Sequence, residues 1–105
     1  MMLAGVRVVI KMAKVYIAGP MTGLPEFNRP AFFSAAADLV TNGDTPLNPA
    51  VLPDGLSQAD YMAICIAMLQ RADSILLLKG WSESSGACAE LALAEKLELQ
   101  ILERK

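Results

Sequence analysis

Histidine is absent from the sequence, and that one absence removes a large share of ordinary enzyme chemistry. Ser-His and Cys-His nucleophile pairs and His-ligated metal centres are excluded within one chain. Carboxylates, tyrosine, lysine, cysteine and backbone groups are left to carry any reaction. Cysteine is scarce: Cys65 and Cys88 lie 23 positions apart and form no C-x-x-C, which argues against a zinc cluster and against a disulfide framework. No metal and no other cofactor is expected. No apolar run approaches the roughly 18 to 20 residues that a bilayer requires, and the early run from Val6 to Ile10 carries no cleavage-site pattern. A cytoplasmic protein without a membrane partner is therefore expected. Positive charge is also short: the formal net charge is −2 and the pI near 5.0, too acidic to hold a nucleic-acid polymer by its phosphates.

What is present is a chain of 105 residues, 54% of them hydrophobic, which is enough for one compact domain with a single core. Residues 1–11 read as a leader without functional weight, because Met12-Ala13-Lys14 looks like a natural start just ahead of the first strand; the domain is then 12–105. Lys14-Val15-Tyr16-Ile17-Ala18 reads as a strand and runs into a turn-rich segment from Gly19 to Pro25. Its glycines, Gly19 and Gly23, permit backbone close to a ligand. This segment matches neither G-x-G-x-x-G nor the Walker pattern. Asn28 is expected to cap the next helix, with Pro30 in its first turn and a stripe of Phe32, Ala36, Leu39 and Val40 before Gly43 stops it. Asp44 to Asn48 reads as a short edge strand, since Pro46 lacks an N–H.

Ser57 and Asp60 form a capping-box pattern that starts a second helix ending near Arg71. From Tyr61 to Leu69 this helix carries no charge, and Met62, Ile64, Cys65, Ile66, Met68 and Leu69 cover more of its circumference than one sheet contact uses. A homo-oligomer, a dimer or a higher even-numbered assembly formed through this helix, is expected.

The most informative stretch follows the apolar run Ser74 to Leu78, which reads as a buried strand. Trp81, Ser84, Ser85 and Gly86 lie in a turn ahead of an Ala/Leu/Glu-rich helix, and Gln100-Ile101-Leu102 reads as a last strand. Strand, Ser/Gly turn and helix together make an anion-binding arrangement, in which N–H groups and the positive end of the helix dipole face a ligand. Glu90 is placed in the helix's first turn, on the side of Leu93, Ala94 and Leu97, opposite Glu95, Lys96 and Glu98. A carboxylate there either caps its helix or serves as an acid beside a phosphate-shaped cradle.

Strand and helix alternate, which calls for an α/β fold: a parallel four-stranded sheet, order 2-1-3-4, with right-handed crossovers and helices on both faces as a three-layer sandwich. The order reverses between strands 1 and 3, where open sheets bind ligands. Tyr16, Gly19, Thr22, Gly23, Ser84, Ser85, Gly86 and Glu90 should converge there.

With Tyr16-Ile17-Ala18-Gly19-Pro20-Met21 at the first strand, Ala72-Asp73 before the third and Ser84 to Ala94 at the last helix, residues 14 to 102 resemble the nucleoside 2-deoxyribosyltransferase superfamily. The likeness is greatest to a branch of small phage and bacterial domains of unassigned function, related to 2′-deoxynucleoside 5′-monophosphate N-glycosidases. The resemblance implies a flavodoxin-like, Rossmann-like fold and cleavage of an N-glycosidic bond. It puts Glu90 in the place of the nucleophile that attacks C1′ and Tyr16 in that of its hydrogen-bonding neighbour. Ser84, six residues before Glu90, matches the phosphate-binding Ser of the superfamily's nucleotide hydrolases, which favours a monophosphate over a free nucleoside.

A carboxylate can trap the oxocarbenium-like centre left by a departing base, while a second acid usually protonates that base. The acid that the family presents on the second helix is replaced here by Cys65. Asp73 and Glu83 remain as substitutes, although Asp73 reads equally as a strand-entry residue and Glu83 as a solvated one. Trp81 either stacks on a base at the pocket mouth or covers the core edge. Cys88 fits a reactive thiol at a helix start or a small packed residue, and Arg29 a phosphate partner or a solvated cation. Two functions stand: hydrolysis or transfer of a nucleotide's deoxyribosyl group through Glu90, and catalytically silent nucleotide binding as a sponge-like module.

Overall fold

A computed structural model describes residues 12–104; the expectation of a leader over 1–11 lies outside the described residues. Four strands, β1 (Lys14–Ala18), β2 (Thr45–Leu47), β3 (Ser74–Leu77) and β4 (Gln100–Glu103), form one parallel sheet in the order β2-β1-β3-β4. Three helices connect them: α1 (Arg29–Thr41), α2 (Gln58–Gln70) and α3 (Ser85–Lys96). The fold is α/β and flavodoxin-like, and the order 2-1-3-4 is as expected from the alternation of elements.

The central strands β1 and β3 are apolar at nearly every position because both of their faces are covered. Alternation along β1 divides the core in two. Tyr16 and Ala18 pack with Ile75 and Leu77 toward Cys65 and Leu69 of α2 and Ala87 and Ala94 of α3. Val15 and Ile17 pack with Leu76 toward Phe32, Ala35 and Leu39 of α1. Tyr16 therefore points to the two-helix face, and its register against Ile75 fixes its height in the sheet.

Helix α1 differs from the sequence reading in two respects. Its buried stripe is Phe32, Ala35 and Leu39, while Val40 is 60% exposed; β2 is only three residues long and offers nothing that deep for α1 to cover. Asn28 also stands at the N-cap position of α1 without a side-chain cap bond. It lies in the left-handed region at φ 59, and its Nδ2 donates to the carbonyl of Pro20 at 2.9 Å, tying the loop to the end of β1. The capping box of α2 does form, with Ser57 Oγ accepting from Asp60 N–H and Asp60 Oδ2 from Ser57 N–H, both at 3.0 Å. Of the apolar residues of α2, Cys65 and Leu69 are buried, whereas Met62 and Ile64 stand 39% and 37% exposed. No helix among the described residues is long and apolar enough to cross a membrane.

Gly19 closes β1 against the start of the next loop pair. A Cβ there would lie 2.9 Å from Leu78 Cβ, a rigid backbone-proximal atom. Gly19→Ala should accordingly lower stability by about 1–3 kcal/mol through overpacking, read from the denaturant midpoint; an unchanged midpoint would show that Leu78 can retreat.

Candidate functional site

A cleft of about 600 Å³ opens at the carboxyl ends of β1 and β3, where the strand order reverses. Tyr16, Gly19 and Thr22 line it from the β1 side, and Ser84, Ser85, Gly86 and Glu90 from α3. The tip of Tyr16 donates from Oη to Glu90 Oε2 at 2.7 Å. This bond joins residues 74 positions apart and exists because Tyr16 faces the two-helix side of the sheet and α3 turns Glu90 onto the same side as Ala87 and Ala94.

Glu90 does not lie in the first turn of α3. Ser84 is the cap, its Oγ accepting from Ala87 N–H at 3.1 Å, and Ser85 is the first helical residue. Glu90 then falls in the second turn, too far from the end to cap the helix or to complement its dipole. Ser85 and Gly86 belong to the helix rather than to the preceding turn, which is instead a short 3-10 segment at Trp81–Glu83. The cap leaves the N–H groups of Ser85 and Gly86 without an acceptor among the described residues, at the positive end of a 12-residue helix.

Electrostatics sharpen the Tyr16–Glu90 pair. Burial raises the Glu90 carboxyl above the usual carboxylate range, and the hydrogen bond from Tyr16 partly offsets it. Burial, followed by the nearby charges of Glu90 and Cys65, pushes the Tyr16 phenol far upward, so Tyr16 remains a neutral donor. Cys65 shares the cleft floor, and burial pushes its thiol up as well. A neutral thiol is no replacement for a carboxylic acid.

Two residues expected in the site lie outside the cleft. Trp81 packs on the α3 side of the core, and its Nε1 donates to Glu103 Oε2 at 3.2 Å, which fastens the 81–83 turn to β4. Gly23 adopts φ +84, a conformation that glycine accepts, with open space around it. Asp73 sits at the opposite, amino end of the sheet, accepting from Lys14 N–H at 2.8 Å. Glu83 lines the cleft but is exposed. Cys88 directs its thiol to the carbonyls of Trp81 and Ser82.

Sequence reasoning missed part of the cleft lining. Asp54, Phe27 and Tyr61 all line the cleft, and Arg29 joins them by an ion pair to Asp54 at 2.6 Å. The residues 49–56 that carry Asp54 show no hydrophobic period; a 3-10 turn at Pro49–Val51, held by Asn48 Oδ1 accepting from Ala50 N–H at 2.9 Å, sets their path. Among the described residues no cluster of three or more acidic or cysteine side chains could hold a metal ion.

A family described as a domain of unknown function, DUF4406, matches residues 13–103, nearly the whole of the described chain. The chain belongs to the DUF4406 family. Among solved structures, this DUF4406 domain is similar to a 2-desoxiribosyltransferase from Leishmania mexicana, with a TM-score of 0.71 and 21% identity over 87% of this chain. The likeness shows a shared fold, and it spans 63% of the length of that enzyme. No curated protein matches the chain by sequence. The fold implied by the motifs at Tyr16 to Met21 and Ser84 to Ala94 is thus the fold of the DUF4406 domain.

Proposed function

We propose that this protein binds a 2′-deoxynucleoside 5′-monophosphate in the cleft and cleaves its N-glycosidic bond, with Glu90 as nucleophile. The observation that carries this reading is the 2.7 Å bond from Tyr16 to a partly desolvated Glu90, a few residues along α3 from two free N–H groups. The likeness in fold to an enzyme named as a 2-desoxiribosyltransferase supports the same class of substrate. Glu90 in its ionised form attacks C1′ as the C–N bond breaks and the base leaves with the bonding pair. Water then hydrolyses the glycosyl ester, its proton balancing the departed base, and Glu90 is restored. Tyr16 holds the second carboxylate oxygen and orients the first. The phosphate rests on the N–H groups of Ser85 and Gly86, with the Ser84 hydroxyl beside them and Gly19 and Thr22 opposite.

Incubation with a panel of deoxynucleoside monophosphates and free nucleosides, followed by chromatography for free base, tests the reading; intact nucleotides after long incubation would refute catalysis. A second reading, nucleotide binding without turnover, is favoured by one observation. Among the described residues Glu90 is the one cleft carboxylate that is neither ion-paired nor exposed, because Asp54 is tied to Arg29 and Glu83 is exposed, and Cys65 offers a thiol whose proton burial retains.

Two expectations accompany this function. In an NMR titration, inorganic phosphate should shift the amides of Ser85 and Gly86 well beyond what chloride does, since geometry and dipole coincide there. Equal shifts from both ions would remove the cradle. Assembly is the other. A second copy packs on the uncharged outer side of α2, covering Ile64, while Met62 faces the cleft. Light scattering should report an even-numbered oligomer, and a stable monomer at micromolar concentration would exclude that interface.

A further inference from the structure

Three consecutive non-glycine residues, Glu26, Phe27 and Asn28, hold left-handed backbone at φ 53, 53 and 59. Each such residue is unfavourable, and a run of them persists only where surrounding contacts determine it. Those contacts are on hand. Phe27 N–H donates to the carbonyl of Leu24 at 3.0 Å, Asn28 Nδ2 holds the carbonyl of Pro20, and the Arg29 guanidinium lies over the Phe27 ring at 5.3 Å from its centroid. Arg29 is itself fixed by Asp54, which lines the same cleft, at 2.6 Å.

A first-turn arginine opposes the dipole of its own helix, and its ion pair with an Asp54 side chain that is 74% exposed contributes little to stability. Stability alone therefore does not account for the chain Asp54–Arg29–Phe27. Its geometric result is that a phenyl ring, 48% exposed and stiffened on one side by a guanidinium, lines the cleft that α3 also lines. Aliphatic residues satisfy an apolar wall equally well; a planar ring with a cation over one face suits a planar ligand.

We infer that Phe27, backed by Arg29 and Asp54, is the platform on which the planar base of the ligand stacks, which sets the base end of the cleft opposite the phosphate end at Ser85 and Gly86. This rests on the nucleotide reading given above and adds to it where the base lies and which residue grips it. Stacking recognises the π-face and so tolerates every base, which leaves choice among bases to polar groups nearer the rim.

The test uses dAMP and 2-deoxyribose 5-phosphate as paired probes, because they differ by the base alone. Phe27→Leu should weaken dAMP about tenfold, within the range of lost base–aromatic stacking, and leave 2-deoxyribose 5-phosphate within about twofold. Phe27→Gly should melt no lower than wild type, since glycine accepts the left-handed backbone, and yet bind dAMP at least as weakly as Phe27→Leu. Arg29→Gln should weaken dAMP in the same sense. Equal losses for both probes, or a change of oligomeric state with dAMP affinity unaltered, would overturn the platform. If wild type binds dAMP through Phe27 but releases no adenine, the platform stands and the hydrolase falls. If adenine is released with kcat/KM indifferent to Phe27→Leu, the hydrolase stands and the platform falls. Failure of wild type to bind dAMP overturns both.

Discussion

Glu90→Gln should lower base release on the order of 10⁴-fold or more while leaving nucleotide affinity within about tenfold, because removal of a nucleophile costs transition-state stabilisation and not ground-state binding. The amide is nearly isosteric, and its Oε1 can still accept from Tyr16, so the 2.7 Å bond that organises the cleft floor survives in geometry if not in charge. The same substitution should raise stability at neutral pH by on the order of 1 kcal/mol, since it removes a carboxylate that burial disfavours in its charged form. The two measurements together discriminate among roles. An inactive, more stable variant is the signature of a desolvated nucleophile. A variant that is destabilised and still releases base would reduce Glu90 to a structural acceptor for Tyr16. Equal inertness of wild type and variant, with nucleotide bound by both, would select the silent binding module.

The legible part of this chain is the part dictated by period and punctuation. Ser74 to Leu78 is a continuous apolar run because β3 is covered on both faces, and the likeness of the motifs around Tyr16 and Glu90 suggested the pairing that the shared two-helix face allows. The parallel order 2-1-3-4 followed from alternating elements and handedness, and it brought Gly19, Thr22 and Ser84 to one end of the sheet before any contact was known. What stayed illegible depends on backbone states that carry no period. Asn28 has the composition of a cap, but three successive left-handed residues turn its amide back to Pro20. Asp54 is an unremarkable loop acid until the 3-10 turn at Pro49–Val51 aims the following residues at Arg29. Trp81 looked equally suited to a ligand and to the core edge; its indole bonds to Glu103 of β4, a partner that no period announces. A helix start read a few residues too late put Glu90 in the first turn, where a cap remained open beside an acid; Ser84 fills the cap.

The pH dependence should tie activity and stability to one proton. Burial raises the folded-state pKa of Glu90 above the ordinary 4.5. Below 4.5 the carboxyl is protonated in both the folded and the unfolded chain, and wild type and Glu90→Gln should then differ little in melting temperature on this account. Between 4.5 and the raised value the unfolded chain releases the proton that the folded chain still holds, so wild-type stability falls relative to the variant as pH rises. Above the folded pKa the difference is constant and at its full size. Activity runs the other way: the nucleophile must be ionised, so kcat/KM climbs through the folded pKa and is lost below it. Tyr16 and Cys65, the other titratable groups at the cleft floor, are both held neutral by burial, so neither competes for the acidic limb. The midpoint of the kcat/KM limb should therefore coincide with the upper end of the stability change and lie above the usual glutamate range. Melting temperatures of wild type and Glu90→Gln from pH 4 to 8, set beside kcat/KM over the same range, measure both. An acidic limb that does not follow the stability change, with no pH-dependent gap between the two melting curves, would take the nucleophile's role from Glu90.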